Sequence, residues 1–123
     1  MLSVLHKNKL IKFVKLVTDL LSQLEELYVE DIETKKLALL LPQKGKKLLT
    51  YFQQEILTLT DDEWESSFCS SWQSFQTETH RCLRLLNTDL LFFASSTNQQ
   101  TRQQRILQIK NRLETIRSYC HFE

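Results

Sequence analysis

The C-terminal half of the chain, from Thr60 to Glu123, reads as two long helices separated by the short polar stretch Ser95, Ser96, Thr97, Asn98. Each opens on the same kind of start signal, Thr60-Asp61-Asp62-Glu63 and Thr97-Asn98-Gln99-Gln100. In such a box the Thr hydroxyl accepts from an orphan backbone N–H, and the Glu or Gln three residues on returns the bond. Two capped helices joined by so short a turn predict an antiparallel helical hairpin. With 123 residues, one Gly, one Pro, 41% hydrophobic and 25% charged side chains, the chain is large enough for one core and too poor in turn residues for a sheet-rich fold. The expectation is a single all-α domain over residues 1–123, a bundle of about four helices that ends in the long hairpin.

The apolar periodicity supplies the other helices. Leu10, Val14, Val17, Leu21, Leu24 and Tyr28 alternate by three and four, with Phe13, Leu20 and Leu27 widening the face; this predicts a first helix from near Asn8 to near Val29 that meets more than one neighbour. Asp31 is placed to cap a short helix through Lys35 to Leu40. Pro42 is expected to end that segment, because its ring disfavours a helical Leu41. A second main helix then follows from Gln43 to Leu59, burying Leu48, Leu49, Phe52, Ile56 and Leu59. The third, from Asp61 to Ala94, would be about 50 Å long at 1.5 Å per residue, with Ser66, Ser67, Ser70, Ser71 and Ser74 marking where a bend costs least. The fourth, from Asn98 to His121, carries Ile106, Ile109, Leu113, Ile116 and Cys120 in strict three-four alternation.

A formal net charge of +1 sets up no global field toward nucleic acid or an anionic membrane. Every basic residue before Thr60 is Lys, and the second half uses Arg except at Lys110. Cys69, Cys82 and Cys120, without a C-x-x-C pair, point to a reducing, cytoplasmic setting. Lys residues interrupt the N-terminal segment as a leader peptide, and no apolar run approaches the roughly 20 residues that cross a bilayer. Folding the hairpin near Ser96 brings Cys120 toward Trp72 and Cys69, where a disulfide is imaginable but would be an exception in that compartment.

No set of side chains announces chemistry. His80 and Cys82 stand two apart on a helix and point to different sides, so they cannot chelate one ion, and Cys120 with His121 fails similarly; no metal or cofactor is expected. His6, His80 and His121 are the candidate bases near neutrality, and none sits beside a nucleophile motif. The single Gly45 excludes a glycine-rich phosphate cradle, and the carboxylates Asp61, Asp62 and Glu65 answer the helix macrodipole. The expectation is therefore no enzyme. Arg105, Lys110, Arg112 and Arg117, with Arg102, give the last helix a basic character suited to an acidic partner segment, with a small nucleic-acid-binding regulator as the alternative.

Between Cys82 and Ala94 apolar residues cover nearly the whole helix circumference, which requires burial on several sides by the bundle or by a second subunit. Asp89 lies inside this surface and needs a cation; reflected across the turn, Arg105 is opposite, with Arg102 close by. The stretch Thr77-Glu78-Thr79-His80-Arg81-Cys82-Leu83-Arg84-Leu85-Leu86-Asn87-Thr88-Asp89-Leu90-Leu91-Phe92-Phe93 resembles the most characteristic part of the cyanobacterial heterocyst-frequency control family, PatD, and the length and helical pattern extend the comparison over most of the chain. The resemblance implies a soluble cytoplasmic regulator that binds the tubulin-like division protein FtsZ, links division to cell differentiation and catalyses nothing. It transfers no numbered binding residue.

Overall fold

The computed structural model describes residues 4–25, 32–59 and 66–120. They form α1 (Val4–Glu25), α2 (Ile32–Tyr51), a π turn (Phe52–Ile56) that continues α2, α3 (Ser66–Ser95) and α4 (Gln99–Tyr119), with no strand among them. The Thr60 capping box, the Asp31 cap, residues 26–30 and His121 lie outside the described residues.

Contacts run in opposite order along successive pairs. Lys9 meets Glu55 while Phe13 meets Phe52; Gly45 lies against Leu90 while Gln53 meets His80; Phe92 lies under Arg105 while Asp89 meets Arg112. The result is an up-down-up-down bundle, closed by α1 packing on α4, the arrangement that short connections between helices favour. Phe13, Val17, Leu24, Phe52, Leu83, Leu86, Ile109, Leu113 and Ile116 have no exposed surface, and each such side chain contributes about 1.5–3 kcal/mol relative to exposure. The predicted hairpin stripe on α4 is buried at Ile106, Ile109, Leu113, Ile116 and Cys120.

Pro42 does not end a helix. It sits inside α2, which is continuous from Ile32 to Tyr51. Proline removes the hydrogen bond its N–H would have donated to the Ala38 carbonyl, a local cost; burial of Leu41 at 0% and Leu48 at 3% exposure keeps both sides of the interruption on one axis. Gly45, three residues on, is buried at the α2–α3 crossing: a Cβ there would overlap the Leu90 side chain, and Asn87 Nδ2 donates to the Gly45 carbonyl at 3.1 Å. Here the absent side chain is what allows the two helices to approach.

The start of α4 differs by one residue from the expected box. Asn98 is the N-cap, its Oδ1 accepting from the N–H groups of Gln100 (2.9 Å) and Thr101 (3.2 Å), so Thr97 lies outside the helix. Asn caps at least as well as Thr because its carbonyl reaches two orphan donors. Further upstream, α3 runs through its serines without interruption.

At the end of α2 the N–H of Leu57 donates to the Phe52 carbonyl at 2.8 Å, a π spacing. The carbonyls left over there are collected by α3. Buried Gln76 donates through Nε2 to Ile56 at 2.9 Å and Leu59 at 3.0 Å, and Trp72 Nε1 donates to Leu59 at 3.1 Å.

Candidate functional site

A helix turns 100° per residue, so Arg105 and Arg112, seven apart, share one edge of α4, and Lys110 and Arg117, also seven apart, share another. The buried stripe through Ile109, Leu113 and Ile116 runs between them. The basic residues on which a partner site was expected therefore form two flanks and not one face.

On the first flank α3 and α4 offer facing stripes, Cys82, Leu85, Asp89 and Phe92 against Arg105, Gln108, Arg112 and Thr115. Asp89 is 5% exposed and pairs with Nε of Arg112. The expected partners of this carboxylate, Arg105 and Arg102, are used differently: Arg105 lies 5.1 Å from the centroid of the Phe92 ring and Arg102 5.2 Å from that of Phe93. Arg105 and Arg112 stand on the same edge two turns apart, and the aromatic ring takes the nearer one. A guanidinium over a ring face gains about 0.5–1 kcal/mol where water reaches it.

Beside this ion pair lies an open groove of about 460 Å³, lined by Cys82, Gln104, Leu107, Gln108, Asn111, Arg112 and Thr115. Leu107, 53% exposed, lines it, and Leu85 and Phe92 on α3 are exposed at 37% and 50%. The outward residues of α4 along it, Gln104, Gln108, Asn111 and Thr115, carry no charge. They supply donors and acceptors whose strength does not depend on pH near neutrality.

On the opposite flank, Lys110 and Arg117 are half-buried. Arg117 sits in the last turn of α4, where a cation offsets the negative end of the helix dipole. Neither is brought to the groove.

The two histidines among the described residues, His6 and His80, pack against aromatic rings. His6 meets Trp72 edge-on at 6.3 Å, and the Gln53 amide donates to His80 Nε2 at 3.1 Å while the ring stacks on Phe52 at 6.2 Å. Cys69, Cys82 and Cys120 are free thiols. Cys120 donates to the Ile116 carbonyl at 3.3 Å, and burial pushes its thiol up to about 12, which keeps it protonated and unreactive.

The sequence placed Leu85 and Phe92 in an apolar circumference expected to be buried on several sides, whereas the bundle leaves both exposed; Leu107, also exposed, was not singled out. The signal was present: Leu85 and Phe92 are seven apart, flank Asp89, and add an apolar edge beyond the core stripe.

Comparison with protein-family models, with curated proteins and with solved structures finds no match to this chain. No helix among the described residues is long and apolar enough to cross a membrane.

Proposed function

We propose that this protein is a non-enzymatic regulator that works by binding another protein through the α3/α4 flank. The observation that supports this reading is the exposure of Leu85 and Phe92 on one edge of α3, with Arg105 over Phe92, and of Leu107 in the groove lined by Gln104, Gln108, Asn111 and Arg112. Singly scattered exposed apolar residues need no explanation, but a grouped set with a polar border has the composition of a protein interface. Aromatic and arginine side chains in contact, as Phe92 and Arg105 are, are the types that most often dominate binding energy.

The resemblance of the Thr77–Phe93 stretch to the heterocyst-frequency control family supplies the partner to test first, the division protein FtsZ. On this reading the protein associates with FtsZ polymers and changes their assembly without consuming nucleotide itself. Co-sedimentation with FtsZ at low and high salt is the experiment. Association that is lost in a Phe92→Ser, Leu107→Ser double variant supports the reading, and a partial decline with salt assigns a share to Arg105, since such charged contacts are screened. Association insensitive to salt removes Arg105 and keeps the apolar surface; absence of association at either salt overturns the partner.

A further inference from the structure

The groove between α1 and α2, on another side of the bundle, has a different chemistry. Leu16 and Leu20 of α1 and Leu48 of α2 form its apolar floor, Lys44 and Lys47 stand along its α2 wall, and Asp19 stands on its α1 wall, around a volume of about 210 Å³. Lysines three apart on a helix lie side by side. Further along α1 two lysines are engaged with the end of α2: Lys9 Nζ is 2.9 Å from Glu55, and Lys12 Nζ lies 5.4 Å from the Tyr51 ring centroid. Lys44 and Lys47 make no hydrogen bond or ion pair within the described residues, although Asp19 shares their groove.

We propose that this groove docks an acidic, leucine-bearing peptide segment of a partner protein. The leucine side chain covers Leu16, Leu20 and Leu48, and the neighbouring carboxylates reach Lys44 and Lys47. Asp19 fixes orientation, because it repels a second row of carboxylates and turns the acidic edge of the segment toward α2. A nucleic acid would bring phosphates to the lysines but nothing to the leucine floor, and its opposite strand or next phosphate would meet Asp19. A bilayer surface is too flat to reach a recessed floor. The proposal stands on α1 and α2 alone and does not rest on the α3/α4 reading.

The test uses a short fluorescein-labelled peptide in which glutamates alternate with leucines, titrated with the full chain and followed by fluorescence anisotropy. Two variants change the net charge equally: Lys44→Glu with Lys47→Glu inside the groove, and Lys15→Glu with Lys46→Glu on exposed positions outside it. The expected result is a loss of affinity of about tenfold or more for the first pair and of about twofold or less for the second, consistent with local rather than net-charge recognition. Amide shifts of the wild-type chain on peptide addition are expected at Leu16, Leu20 and Leu48. A Lys44→Gln, Lys47→Gln variant with an unchanged helical spectrum covers the case in which charge reversal disturbs folding.

Equal losses from both pairs overturn the proposal, as does an all-glutamate peptide that binds as well as the leucine-bearing one, or no binding of the latter. So does competition by single-stranded oligothymidylate or by phosphatidylglycerol vesicles that is itself abolished by Lys44→Glu with Lys47→Glu, which reassigns the groove to phosphate. FtsZ association that needs Phe92 and Leu107 but not these lysines leaves the first reading intact, so the two fail separately.

Discussion

Replacing Arg112 by Leu removes the cation and leaves the carboxylate of Asp89, whose side chain is 7% exposed, without a partner. Breaking a fully buried pair in this way costs about 3–5 kcal/mol. The Arg112 side chain is 26% exposed, so water reaches one side of the site and the cost falls to about 2–3 kcal/mol. At about 2.1 cal/mol/K of unfolding entropy per residue, a chain of 123 residues loses roughly 4 °C of Tm per kcal/mol, or about 8–12 °C here. Asp89→Leu strands only the guanidinium, which has a path to solvent, and should cost about 1 kcal/mol or less. The double variant should come back close to wild type, because two leucines pack where the charges were desolvated. Urea unfolding of the four proteins closes a double-mutant cycle. If Arg112→Leu lost less than about 1 kcal/mol, or no more than Asp89→Leu, the claim that Asp89 is an electrostatically dependent buried carboxylate would be wrong.

Two further outcomes follow from burial and crowding. Burial raises the Cys120 thiol from its ordinary value of 9.0 to about 12, so between those values the folded state holds a proton that the unfolded state has released, and stability falls as pH rises; below them the contribution is fully present. Wild type should lose about 1 kcal/mol more than Cys120→Ala between roughly pH 9 and pH 10 in urea unfolding, and parallel slopes would refute the assignment. Gly45→Ala gains about 1 kcal/mol of helix propensity but drives a methyl into Leu90, which has no exposed surface; overpacking of about 2–3 kcal/mol should prevail and lower Tm by a few degrees, whereas a stabilised variant would mean that Leu90 repacks freely.

The hairpin was legible because its signal is redundant: Ile106, Ile109, Leu113, Ile116 and Cys120 repeat at helical spacing, and every one is buried. Helix α2 was misread at Pro42 because the local rule weighs one lost hydrogen bond, while Leu41, Leu48 and Phe52 on the same axis weigh burial across the bundle. The shift from Thr97 to Asn98 is a choice between two competent caps separated by one residue, which local preference does not resolve. That Asp89 needs a cation followed from its apolar surroundings; that the cation is Arg112 depended on Phe92 engaging Arg105, a three-body choice no pairwise spacing contains. The arginine and lysine positions on α4 did contain their own division into two flanks, since pairs seven apart cannot lie on the same edge when the pairs are offset by five.

The π turn at the end of α2 makes one stretch of backbone answer to two neighbours at once. Tyr51 donates to the Lys9 carbonyl at 3.0 Å and Glu55 meets Lys9 on α1, Gln53 reaches His80 on α3, and Phe52 sits between Phe13 and Phe75 in the core. A helix with the ordinary spacing advances 100° at each residue, whereas the wider turn advances less. Deleting a single residue there would therefore do more than shorten the segment. It would rotate everything after it, carrying the carbonyls of Ile56 and Leu59 away from Gln76 while leaving Lys44 and Lys47 where they are. A change in this turn would therefore shift the contacts with Lys9 and Phe13 on α1 and with His80 and Gln76 on α3 together, while the stretch of α2 that carries Lys44 and Lys47 keeps its place.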